Sequence, residues 1–192
     1  AGRSAHAQQT SNSAWQPRRH EEDDWLDRIP GVHRIVFDTT DPEGFAEALS
    51  FATNFFTANK SGYGLTDADL AVVIVARHNS TAFAYTDGTW ARHGVLLAQR
   101  AGVVDPATKQ PPTTNIHRAR LDGLLARGVH LAVCQMATRN HAGMIAKAAG
   151  TDVDAVYKDL VANLLSNAHM VSAGIVAVNR AQERGYSFAH AG

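Results

Sequence analysis

The run LAVVIV at residues 70–75 is the feature that most restricts the fold. A strand with apolar side chains on both faces must be covered on both, which is the situation inside a parallel sheet. The run stops at Arg77-His78-Asn79. A second buried run at 129–133 ends at Cys134, and a β-rich run at 32–37 ends at Asp38-Thr39-Thr40. Helical patterns separate these runs. Asp41-Pro42-Glu43 supplies a cap, a first-turn proline and an acid near the positive end of the helix dipole. Phe45, Leu49, Ala52 and Phe56 then recur at helical spacing until Gly62 and Gly64.

Further along, residues 80–102 read as mixed or weakly helical, and 103–116, with Pro106, Pro111 and Pro112, read as a loop. A helix is predicted near 117–127, closed by Gly128, and a small-residue helix over 137–149. Thr151-Asp152-Val153-Asp154 reads as a capping box with Asp in place of Glu, ahead of an amphipathic stripe from Val153 to Leu164. A short run at 168–172, a helix at 174–184 capped by Gly185 and a strand at 186–190 complete the chain. Alternating β and α elements predict an α/β domain: a single, mostly parallel β-sheet with helices on both faces.

Residues 1–31 read differently from residues 32–192, and the division predicts an extended polar tail ahead of the α/β domain. Only Trp15, Trp25, Leu26 and Ile29 are apolar anchors there. Such a segment cannot build its own core, so it is disordered or straps onto a folded surface. The tryptophans favour strapping, on this molecule or a neighbouring subunit. His20 beside the acidic run at 21–24 allows a metal arm, but a solvated charge run is the simpler reading. Ala5-His6-Ala7 fits the small-x-small pattern of an export cleavage site.

Composition removes several function classes. Eighteen Lys+Arg balance eighteen Asp+Glu over 192 residues, so the electrostatic footprint of a general nucleic-acid binder is missing. No apolar run reaches the ~20 residues of a membrane-spanning helix. One cysteine cannot form an internal disulfide, a CxxC pair or a cysteine-rich zinc site. The ten histidines show no HxH or HExxH spacing, and Gly62-Tyr63-Gly64 is not a phosphate loop. No cofactor is predicted.

Sites in open α/β sheets form beyond the carboxyl ends of the strands. Three strand ends carry reactive or polar groups: Asp38, His78-Asn79 and Cys134. Each has a structural alternative, a turn cap for Asp38, a hydrogen-bonded histidine for His78 and an inert core thiol for Cys134. Cys134 stands out because it precedes a helix, whose N–H groups and dipole stabilise a thiolate. Arg139 and His141, in the following turns, add positive potential. A thiolate there could attack a sulfur donor and hold a persulfide. Peptide hydrolysis lacks an identifiable base, orienting group and oxyanion hole.

The segment GVHLAVCQMATR at 128–139 resembles the cysteine strand and loop of the DsrE/DsrF-like family. The segment SAGIVAVNRAQERGY at 172–186 is similar to that family's last helix and strand, and HRIVFD at 33–38 is compatible with its first strand. Residues 77–83, Trp90 and the HEEDDW stretch resemble exported members of the family. The resemblance implies trimers or hexamers, an exported location (periplasmic or extracellular), and a sulfur-relay cysteine at Cys134 that receives sulfur from, or passes it to, a protein partner. Asp38, His78, Asn79, Arg139 and His141 would shape its pocket. Two other functions compete. One is a non-catalytic assembly subunit that uses its tail for subunit contacts. The other is an exported metal- or haem-binding protein using histidines with Met136, Met144 or Met170.

Overall fold

The computed structural model describes residues 16–192; Trp15, the Ala5-His6-Ala7 pattern and the polar run at 8–13 lie outside the described residues. Five strands form one sheet: β1 (His33–Thr39), β2 (Leu70–Ala76), β3 (His130–Cys134), β4 (Ala168–Val171) and β5 (Ser187–Ala191). Their order is β4-β3-β2-β1-β5, and every neighbouring pair is parallel. The chain is therefore an α/β fold with an all-parallel sheet. The apolar run of the sequence becomes β2, the middle strand, and all seven of its residues are buried.

Both faces of β2 are covered, but unequally. On one face lie α2 (Pro42–Tyr63), α3 (Asp87–Ala101), α4 (Arg118–Ala126), α5 (Gln135–Ala149) and α6 (Val153–Ala162). They surround a core containing Phe45, Phe56, Phe83, Trp90, Leu121 and Ile145. The other face receives α7 (Gly174–Gln182), which packs across β1, β2 and β3 because it carries the chain from the β4 edge back to the β5 edge. A nine-residue helix cannot cover that face alone. The short helix α1 (Trp25–Arg28) supplies the rest: Leu26 and Ile29 are buried against Val36, Val73, Val75, Val178 and Tyr186.

The tie between α1 and the domain is polar as well as apolar. Tyr186 Oη donates to the Leu26 carbonyl at 2.8 Å, and Arg34 donates to the carbonyls of Leu26, Ile29 and Gly31. Arg184 Nε reaches Asp27 Oδ2 at 3.1 Å. Trp25 stacks on His169 with ring centroids 4.0 Å apart. Trp25 is thus engaged on its own chain.

Four local departures from the sequence reading are instructive. Residues 80–102 are not weakly helical: a 3₁₀ helix, His78–Ala84, leads through Tyr85 into a full α3, because Trp90, Leu97 and Ala98 bury one face. Helix α5 starts at Gln135 rather than 137, since Cys134 itself occupies the N-cap. Helix α6 is capped by Asp152, whose carboxylate accepts from the Ala155 N–H at 2.8 Å, and not by Thr151. Helix α7 ends at Gln182 with Glu183 as cap, two residues short of the expected end at 184. By contrast, Asp41 caps α2 through the Gly44 N–H, and Gly64 ends it in the left-handed region at φ 69°.

If α1 is part of the core, shortening its buried anchor weakens the whole molecule. Leu26→Ala is expected to cost about 2–4 kcal/mol and to lower the midpoint of the single denaturant transition. Equilibrium unfolding checks this; an unchanged midpoint would mean that α1 is a detachable strap.

Candidate functional site

The parallel register brings the strand ends to one level. Ala76 pairs with Val133, so Cys134 sits one position beyond the end of β2, beside Arg77. From β3 the chain turns into α5 on one face, whereas from β4 it turns into α7 on the other. The crevice between these departures is the switch point at which α/β proteins bind ligands. A cavity of about 180 Å³ occupies it. Its walls include Cys134, Ala137 and His141 of the β3–α5 unit, Arg77 and His78 after β2, Arg100 of α3, and Gly174 of α7.

Cys134 is buried, 7% exposed, and its side chain makes no capping hydrogen bond to α5. Two residues on its helix face follow at the i+4 and i+7 positions, Thr138 and His141. The Thr138 hydroxyl donates to the Cys134 carbonyl at 3.0 Å. Tyr85 Oη lies 3.3 Å from Thr138 Oγ1 and 3.1 Å from His141 Nδ1. One proton arrangement makes all three contacts hydrogen bonds: Tyr85 donates to Thr138 and accepts from His141 Nδ1–H. His141 Nε2 is then an unprotonated acceptor. Among the described residues it has no hydrogen-bond partner, and His141 lines the cavity.

Burial, with a smaller contribution from Arg100, pushes the His141 pKa down to about 4. Burial likewise pushes the Tyr85 phenol far up. Both groups are neutral across the physiological range, which suits a hydrogen-bonded chain in a low-dielectric interior.

The positive side of the cavity is held from behind. Arg77 Nε and Nη2 form a two-pronged pair with the Asp38 carboxylate, both at 2.7 Å. That pairing raises the Arg77 pKa and fixes the plane of its guanidinium. His190 Nδ1 adds a contact of 3.4 Å to the same carboxylate. Gly174 lets the Arg77 stem through: a Cβ at that position would meet Arg77 Cβ at 2.6 Å and Cδ at 2.8 Å. His78 has φ 52°, left-handed for a residue with a side chain, and sits at the cavity wall. The turn that holds it is clamped by the Asn79 and Ser80 N–H groups, both donating to the Thr40 carbonyl.

Of the residues proposed from sequence, Cys134, His78 and His141 therefore meet at one cavity. Asp38 stands behind Arg77 instead of lining it. Asn79 is spent in the turn through its backbone and does not line the cavity. Arg139 points elsewhere: it pairs with Asp154 at 3.3 Å and lies over the Tyr157 ring at 4.1 Å. At the i+5 position from Cys134 it lies well off the cysteine's helix face. Sequence reasoning missed Arg77, Arg100, Asn140 and the start of α7. Arg77 could have been found, since it immediately follows the apolar run; Arg100 comes from a helix that the pattern only weakly marked.

His117, His130 and His169 do not line this cavity. His130 Nδ1 and His169 Nε2 share a hydrogen bond at 2.8 Å beneath Trp25, on the face covered by α1. Burial, with the neighbouring His130, pushes His169 down to about 4. His117 packs against Phe45 and Phe83, and burial lowers its pKa to about 4 as well. Among the described residues no group of three or more His, Cys, Asp or Glu is placed to hold a metal ion. No helix among them is long and apolar enough to cross a membrane.

No family model matches the chain, and no curated protein matches it. Among solved structures it is similar to a protein of unknown function from Methanobacterium thermoautotrophicum. That likeness has 15% identity and a TM-score of 0.47, and spans 83% of this chain and 99% of the other.

Two measurements probe this arrangement. Asp38 is buried while Arg77 is partly exposed, so losing the charge of their two-pronged pair in Asp38→Asn is expected to cost about 2 kcal/mol in denaturant unfolding. The pH dependence follows from the histidines. An unfolded His titrates near 6.5 and folded His141 near 4, so the unfolded chain binds more protons between these values. Stability is complete above about pH 6.5 and declines as pH falls toward 4. His141 alone accounts for about 3 kcal/mol of that decline, and His117 and His169 for smaller amounts because they are less buried. Unfolding free energies measured from pH 7.5 to 4.5 should show this slope, and His141→Gln should flatten it.

Proposed function

We propose that this protein is a thiol-based sulfur carrier acting through Cys134. One observation carries the reading: the chain's single cysteine sits at the start of a helix and lines a cavity with Arg77, Arg100, His78 and His141. An inert core thiol is packed on all sides by apolar groups; this one lines a cavity together with Arg77 and Arg100. The resemblance of residues 128–139 and 172–186 to the DsrE/DsrF-like family supports the same role, because both segments border the cavity.

The chemistry is a sulfur transfer between sulfur atoms. The Cys134 thiolate attacks the terminal sulfur of a donor persulfide, and a new S–S bond forms at Sγ. The donor's own S–S bond breaks, its electron pair leaves with the donor thiolate, and no external oxidant is needed. The N–H groups at the first turn of α5 and the guanidinium of Arg77 supply positive potential to the anionic sulfur.

Incubation with a persulfide donor, followed by mass spectrometry of the intact protein, is expected to show a gain of one sulfur atom. The gain should be reversed by dithiothreitol and absent in Cys134→Ser. Failure to load Cys134 from any of a range of donors would overturn this function.

A further inference from the structure

The cavity matches a small ligand. Its volume of about 180 Å³ holds about six water-sized groups, the size of a short organic acid. Much of its wall is carbon, from Met136, Ala137, Ala173 and Ile175. Against that apolar wall stand two polar features. His141 is 2% exposed, and its Nε2 has no hydrogen-bond partner among the described residues. Arg100, in the last turn of α3, lines the cavity and forms no ion pair among the described residues, whereas Arg77 is already paired with Asp38.

We infer that the sulfur donor is a small organic persulfide bearing a carboxylate, bound whole within the Cys134 cavity. This rests on the sulfur-carrier reading and names its substrate class. The carboxylate pairs with Arg100, the short carbon chain lies on Ala137, Ala173 and Ile175, and the terminal S–H donates to His141 Nε2. That hydrogen bond turns the terminal sulfur toward Cys134. Attack by the Cys134 thiolate gives Cys134–S–S–H and releases the organic thiolate, so charge and sulfur are conserved. Tyr85 and Thr138 act as positioning residues: by holding Nδ1 protonated they keep Nε2 free to accept.

Alkylation tests the binding element without any sulfur transfer. Iodoacetate and iodoacetamide have nearly the same size and differ in the carboxylate. The ratio of their rates at Cys134 is expected to favour iodoacetate more strongly than it does for free cysteine. In Arg100→Gln that ratio should fall roughly threefold to fivefold. Arg100 is exposed, so this substitution leaves the core intact. In parallel, the persulfide of 3-mercaptopropionate should load Cys134 faster than its methyl ester or glutathione persulfide. A wild-type ratio equal to that of free cysteine, a ratio unmoved in Arg100→Gln, or faster loading from glutathione persulfide would overturn the inference while leaving the sulfur-carrier role standing. Absence of loading from every donor would instead overturn that role, with the alkylation ratio still reporting anion selectivity.

Discussion

The requirement that β2 be covered on both faces organises the rest of the molecule. Seven successive buried side chains leave no face of the middle strand that water can reach. Five helices close one side with a large aromatic core. The other side has α7 alone from within the crossover sequence, so the segment ahead of β1 is drawn in to complete it. The polar ties to residues 26–31 follow from this need: Arg34 and Tyr186 satisfy the carbonyls of Leu26, Ile29 and Gly31, and Arg184 pairs with the Asp27 carboxylate.

The same constraint creates the site. With only one crossover on the second face, the chain must leave β3 and β4 in opposite directions, and a crevice opens between α5 and α7. Into it come the cysteine from β3, the arginine from the end of β2 and the histidine two turns along α5. Asp38, on β1, does not enter the crevice but determines how Arg77 is presented to it. Charge is placed at the site by a group that any ligand would leave untouched.

How legible this was depends on the physical source of each feature. The central strand, the caps at Asp41 and Gly64 and the alternation of elements are local consequences of composition and spacing, and they appear in the structure close to where the sequence puts them. Cys134 and His78 were visible because strand ends are where α/β folds expose chemistry. Arg139 was misjudged because closeness in sequence is not closeness on a helix, while His141 fell on the correct face at i+7. Arg100 was invisible, since nothing in residues 87–101 shows that the end of α3 reaches the end of β3. The hydrogen-bonded chain from His141 through Tyr85 to Thr138 spans 56 residues and could only be seen in three dimensions.

The contact of Gly174 with the stem of Arg77 has a consequence for how the protein is made. One wall of the cavity belongs to the last crossover of the chain, and a ribosome delivers that segment only after Cys134 has already emerged. Until α7 docks, Cys134 stands beside an unfinished, open groove. The cavity is thus completed only when the β4–β5 crossover folds. A deletion that removes α7 would take away that wall together with the cover of one sheet face.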